Sequence, residues 1–140
     1  MNAKSYLGQA YRMNLKINNQ LEQLEQLKAL TTKITSSVGK ERVACTKEKS
    51  PMENAITKVV MAENEINRTI DRFIDLKIEI SSNIQKLENF ENRILLELRY
   101  LCFNTWEEIA AKMNYRTSYI YKIHNRALKA MEKVLQGGKV

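Results

Sequence analysis

The sequence predicts an all-α fold: a long antiparallel, coiled-coil-like helical hairpin followed by a small domain of short helices. Three observations predict it. One Pro and four Gly in 140 residues leave little to break helices. Apolar residues recur at three- and four-residue steps along most of the chain. Strand-like alternation of apolar and polar residues is nearly absent. With 44% apolar and 28% charged residues, the composition is globular rather than disordered. The length allows one ordinary domain, or one small domain plus an extended element.

Residues 3–34 read as one long helix. Leu7, Tyr11, Ile17, Leu21, Leu24, Leu27, Leu30 and Ile34 form a stripe, with polar residues on the other face. Leu21, Leu24, Leu27 and Leu30 repeat every third residue and drift off a heptad. This helix is therefore expected to pack against something wider than a single coiled-coil partner. Residues 35–50, TSSVGKERVACTKEKS, read as a basic, mobile linker. Its cations suit either nonspecific phosphate contacts or a plain solvated connection.

The second long helix has a clear start. Ser50 is the candidate N-cap, Pro51 occupies the first helical position, and Glu53 completes a capping box. From there a 3-4 spacing runs through Met52, Ile56, Val59, Glu63, Ile66, Ile70, Phe73, Lys77, Ile80, Ile84 and Leu87. Glu63 and Lys77 intrude at the same heptad position, where they either set register or mark a solvated seam. Such a helix spans roughly 50 Å and cannot bury its stripe within a small globule. It needs the first helix folded back on it, making residues 1–88 a hairpin, or another copy of the chain. Ile56, Val59, Ile66, Ile70, Phe73, Ile80 and Ile84 are accordingly the expected oligomerisation residues, with a dimer favoured.

Asn89, Asn92 and weak periodicity put a break in KLENFENR, residues 86–93. Residues 91–134 then hold three helical segments, and 135–140 form a flexible tail. The first segment carries Ile94, Leu95, Leu98 and Leu101. After an interruption at CFN, Thr105 and Glu108 make a second capping box for WEEIAAKM, which buries Trp106, Ile109, Ala110 and Met113. Asn114 and Tyr115 make a turn. The last helix runs from about Thr117 to Val134 and buries Ile120, Ile123, Ala127, Leu128 and Met131.

Charge singles out that last helix. The formal net charge is +7, but residues 1–50 carry +5, residues 51–110 carry −4, and residues 111–140 carry +6. So basic a helical segment suits a polyanion or serves as a solubility tail. Two helices joined by a short turn, the later one basic, have the helix-turn-helix layout, and double-stranded DNA is the expected partner. The exposed face would carry Arg116, Thr117, Ser118, Tyr119, Tyr121, Lys122, Asn125, Arg126 and Lys129. Ser118, Tyr119 and Lys122 are placed for base edges, while Tyr121, Asn125, Arg126 and Lys129 suit phosphates. His124 reads either as another phosphate contact or as an ordinary semi-exposed residue. The two tyrosines suit a subunit contact equally well.

Other classes fare worse. Cys45 and Cys102 have neither disulfide-framework nor metal spacing and read as free thiols; no metal and no cofactor is expected. No nucleophile–His–acid set, paired acidic site or glycine-rich phosphate loop occurs in plausible context, so no catalytic residue is assigned and an enzyme is not expected. The opening MNAKSYLGQAYRMN lacks a signal-peptide core, and no apolar run is long enough to span a membrane. A cytoplasmic location in a bacterial host cell is expected.

Thr105, Glu108, Ile109 and Ala110, followed by Ile120, Ile123, Arg126, Ala127 and Leu128, resemble region four of bacterial sigma factors. The opening AKSYLGQAYRMNLKIN, the stretch AENEINRTIDRFIDLKIEI and the run LLELRYLCFNTWEEIA are similar to small phage and prophage proteins of the ArpU and RinA kinds of late-transcription regulator. The resemblance implies a sigma-region-four-like helix-turn-helix domain over 91–134. It also implies promoter DNA as ligand, control of late phage genes, and contact with host RNA polymerase. It places Thr117, Ser118, Tyr119 and Lys122 at the DNA-reading positions. Arg116 stands where sigma proteins have a small capping hydroxyl, which puts the helix start at Thr117. Tyr119 and Tyr121 stand where basic residues are common. The sigma regions that bind the polymerase core and melt DNA have no counterpart, so an activator fits better than a free-standing sigma factor. Two other readings compete: a phage packaging protein resembling small terminase subunits, and a helical protein-interaction module acting on a host factor.

Overall fold

The computed structural model of the protein describes residues 2–38 and 50–137. Most of the expected linker (39–49, with Cys45), the side chain of Ile34 and the end of the tail (138–140) lie outside the described residues. The described residues contain helices and no strand. In chain order these are α1 (Ala3–Leu7), α2 (Gln9–Val38), α3 (Pro51–Ile84), α4 (Phe90–Leu96) with a π-helical turn over Glu97–Leu101, α5 (Trp106–Met113) and α6 (Thr117–Leu135). The chain divides into two compact units. One combines Met1–Asn14 with Phe73–Val140, and the other is Leu15–Arg72.

That division differs from the boundary expected between 88 and 91. The reason is that the last helices do not bury their apolar faces on one another alone. α1, α4 and α5 all pack on α6. Leu7, Ile80, Ile84, Leu87, Leu95, Leu96, Ile109, Ile120, Ile123 and Met131 are fully buried together. Ala3, Ala10 and Ala127, also fully buried, let backbones approach closely. Ile80 and Ile84, expected at an oligomer contact, are each 0% exposed and therefore serve this chain's own core.

The single helix expected over 3–34 is broken at Gly8. The break releases carbonyls of the first turn, and side chains take them up. Arg12 Nη2 donates to the Ser5 carbonyl at 3.0 Å, and Gln9 Nε2 donates to the Tyr6 carbonyl at 3.0 Å. A Cβ at Gly8 would sit 3.0 Å from the Arg12 guanidinium and 3.2 Å from the Lys4 carbonyl, so the small residue makes room for this arrangement. Tyr6, on α1, donates to Glu79 Oε2 at 2.9 Å and accepts from Asn83 Nδ2 at 2.7 Å.

α3 stops at Ile84, and residues 85–89 connect it to α4. Arg93 Nη1 donates to the Leu87 and Glu88 carbonyls at 2.5 and 3.2 Å, and the Asn89 side chain caps the Asn92 amide at 3.1 Å. α5 begins as expected. Thr105 Oγ1 accepts from the Glu108 amide at 3.2 Å, and Glu108 Oε1 accepts from the Thr105 amide at 3.0 Å. Thr105→Ala should therefore cost about 1 kcal/mol of stability. Thr105→Ser should keep it, and urea unfolding followed by circular dichroism measures both.

In the Leu15–Arg72 unit, Ile17, Leu24 and Ile66 are buried. Lys28 and Glu63 pair at 3.7 Å, and Gln20, Leu24 and Leu27 share a small cavity with Ala62, Glu65 and Ile66. Ile66 is thus also used within the chain. Leu21 and Leu30 are exposed although they belong to the expected stripe. An every-third repeat rotates about 60° per step, so only the middle leucines, Leu24 and Leu27, stay on the packed side. At the start of α3, Ser50 Oγ accepts from the Glu53 amide at 3.1 Å, the expected cap bond.

Candidate functional site

The residues singled out by charge sit on α6, and the turn before it sets their direction. α5 ends at Asn114, whose φ of 61° and ψ of 45° place it in the left-handed region that Asn tolerates better than most residues. Its N–H bonds the Ala110 carbonyl, and so does that of Tyr115 at 3.1 Å. Only residues 114–116 separate the two helices. α6 starts at Thr117, as the unusual Arg116 implied, and no side chain caps it. Tyr119 and Ile120 bond back to the Arg116 carbonyl at 3.0 and 3.1 Å.

Arg116, Thr117, Ser118, Tyr119, Tyr121, Lys122, Asn125, Arg126 and Lys129 are all exposed. They do not form one uniform face. Ile120, Ile123, Ala127 and Met131 define the buried side. At 100° per residue, Ser118, Lys122, Asn125 and Lys129 line up opposite it. None of these four side chains makes a hydrogen bond or ion pair among the described residues. The flanks are engaged. Tyr121 sits edge-on to Trp106, with ring centroids 5.2 Å apart, and Tyr119 sits edge-on to Tyr115 at 4.7 Å. The Tyr115 hydroxyl donates to Glu91. Arg126, expected at a phosphate, donates from Nε to the buried Asn92 Oδ1 at 3.0 Å and lies 3.5 Å from Glu91 Oε1. It ties α6 to α4.

His124 corrects the reading as a semi-exposed or phosphate-contacting residue. It is 7% exposed. Its Nε2 lies 2.6 Å from the Tyr100 hydroxyl, and the Trp106 ring meets it edge-on at 4.7 Å. Burial pushes its pKa down to about 4, helped by the positive charges of Lys4 and Arg99. Burial likewise raises Tyr100. The signal was available: His124 falls four residues after Ile120 and seven before Met131, on the core spacing. The unfolded imidazole titrates near 6.5, above the folded value. Stability is therefore fully present above about 6.5 and is lost as pH falls through about 4. The loss should be roughly 2 kcal/mol after solvent screening. In His124→Gln the slope between those pH values should flatten in chemical denaturation.

The π-helical turn over Glu97–Leu101 was not anticipated. The wider turn bonds the Cys102 amide to the Glu97 carbonyl at 3.0 Å. Tyr100 reaches His124 from this turn, and the Arg99 guanidinium sits 4.3 Å over the Trp106 ring. Lys112 Nζ donates to the buried Asn104 Oδ1 at 2.8 Å, so this α5 cation is held in place. Of the residues expected at an oligomer contact, Ile56 is 46% exposed and Val59, Ile70 and Phe73 are half-buried. Of the polar intrusions in α3, Glu63 pairs with Lys28, while Lys77 lies over the Phe73 ring at 5.3 Å.

The model of a family described as "Protein of unknown function (DUF1492)" matches residues 33–132, well over half of the chain. The chain belongs to this family. The DUF1492 match includes all of α3, α4 and α5 and runs along α6 to Glu132. No curated protein and no solved structure matches the chain. No helix among the described residues is long and apolar enough to cross a membrane, and no three His, Cys, Asp or Glu side chains among them come together as a metal site.

Proposed function

We propose that this protein is a sequence-specific DNA-binding transcription regulator of phage or prophage origin, an activator of late genes. The observation that carries this reading is the row Ser118, Lys122, Asn125 and Lys129. These four side chains are polar or basic, exposed, and without a hydrogen bond or ion pair among the described residues, on a helix that follows α5 after a three-residue turn. A helix presented this way fits the major groove, with its N-terminal end nearest the bases. The uncapped start of α6 adds amides and a positive dipole end that favour phosphate. Residues 111–140 carry seven basic groups and one acidic group, which suits the polyanion. Ser118 and Lys122 read base edges, and Asn125 and Lys129 hold phosphates.

In this reading α5 and α6 form the sigma-region-four-like helix-turn-helix. α2 and α3 form the long hairpin, and self-association uses the exposed part of α3 around Ile56, Val59 and Ile70. Host RNA polymerase is the protein partner of an activator of this kind. Selecting bound fragments from the phage or prophage genome tests the proposal. Recovered promoter segments whose affinity falls steeply with salt are the expected result. Recovery of a single packaging site would shift the role to DNA packaging. No detectable DNA binding at low salt would overturn it and leave a protein-interaction module.

A further inference from the structure

We propose that a cleft beside α1 is a binding site for a small anionic ring compound of the nucleoside-phosphate class. The cleft holds about 610 Å³ and is lined by Lys4, Tyr11, Arg12, Arg99, Tyr100 and Phe103, with no carboxylate on its walls. That volume lies in the range of small-molecule sites and is far larger than a lone phosphate ion needs.

Three cations lining one cavity repel one another, and none of them forms an ion pair among the described residues. Among the described residues the Arg12 side chain donates only to the Ser5 carbonyl, that of Arg99 only to the Asn104 carbonyl, and the Lys4 ammonium makes no hydrogen bond or ion pair. An anion with several acceptor oxygens would satisfy all three. The wall also carries three rings, those of Tyr11, Tyr100 and Phe103, beside Gly8 and the polar Asn2, Ser5 and Thr105. Tyr11 sits edge-on to Phe103 at 5.7 Å, and half of its surface is open. Phe103 has φ of 59°, a backbone state that bulky side chains rarely adopt. Its ring is held there by Phe73, stacked at 6.5 Å. This left-handed residue ends the helix, with the Asn104 amide bonding back to the Leu98 carbonyl at 3.0 Å, and it leaves the Phe103 ring on the cleft wall. Phosphate oxygens for the cations and a flat base for the rings is the combination that one nucleotide supplies.

Adenosine 5′-monophosphate is the probe, titrated into the full chain by calorimetry and followed through Trp106, the only Trp. Arg99 lines the cleft and sits over that indole, so saturable binding should change its fluorescence. Inorganic phosphate and adenosine should each bind at least about tenfold more weakly. Lys4→Gln, at an exposed side chain, should weaken the monophosphate about tenfold without moving the unfolding midpoint. Arg12→Ala should weaken the monophosphate similarly, and Tyr11→Ala should weaken the monophosphate while leaving inorganic phosphate unaffected. His124, the only imidazole, should titrate at higher pH in the complex, because the bound anion offsets Lys4 and Arg99. An absence of saturable binding at several millimolar would overturn the proposal. So would equal binding by Lys4→Gln and the unaltered chain, or equal binding of phosphate and monophosphate.

Discussion

Ile80→Asp should unfold the unit that joins Met1–Asn14 to Phe73–Val140, lowering its stability by roughly 4 kcal/mol or more. The Ile80 side chain is 0% exposed and belongs to an apolar cluster that includes Leu7, Ile84 and Leu95. A carboxylate there would be charged without a partner, or would bind a proton and still lose its bonds to water. Either route adds to the loss of a packed isoleucine. Loss of helical circular dichroism, or a far lower urea midpoint, is the expected result. A midpoint equal to that of the unaltered chain would show that Ile80 is outside the core. Ile56→Asp separates stability from self-association. Ile56 is 46% exposed, so the chain should stay folded and only its mass in solution should change. If both variants unfold together with loss of an oligomer, the long helices depend on a partner chain, contrary to the packing around Ile80.

What could be read in advance divides along physical lines. Thr105 and Glu108 announced the start of α5 because a capping box satisfies orphan amides locally, with no reference to the rest of the fold. The start of α6 at Thr117 was legible for the same reason, since Arg116 cannot serve as a hydroxyl cap. The stripe of α6 was legible because a helix with one apolar side has only one way to turn it inward. Gly8 is different. A glycine within a helical pattern is tolerated in many helices, and the break there depends on Arg12 folding back to the Ser5 carbonyl. The π-helical turn depends on Tyr100 meeting His124 and Arg99 meeting Trp106, contacts that no local spacing encodes. The two compact units depart from the expected boundary for the same cause. Ile80 and Leu7 carry periodicity that says they are buried, but not which partner buries them. Of the nine residues expected on the DNA-facing side, periodicity correctly placed all as exposed; only the tertiary contacts show that Arg126 is tied to Asn92 and that Tyr119 and Tyr121 lean on neighbouring rings.

The double variant Lys122→Glu with Lys129→Glu should lower DNA affinity by a factor of about a hundred to a thousand at moderate salt. Both side chains are exposed, lie on the row opposite the core, and make no ion pair among the described residues, so the fold should not suffer. They are separated by seven residues, two turns or about 10 Å along the helix. That spacing separates their proposed roles. In the proposed complex Lys122, near the start of α6, would face base edges, and Lys129 would reach phosphate. Lys122→Ala alone should therefore relax preference at one base position, at a cost of about 1–3 kcal/mol. Lys129→Ala should weaken all sequences alike and reduce the salt slope by about one. Arg126→Ala serves as the contrast. Its guanidinium is held by Asn92 and lies near Glu91, so its loss should appear first as reduced stability and leave base preference unchanged. Competition binding against a panel of single-base changes at two salt concentrations distinguishes the three. Should Lys122→Ala leave base preference intact while Arg126→Ala alters it, α6 docks by its α4-facing edge rather than by the row of Ser118, Lys122, Asn125 and Lys129.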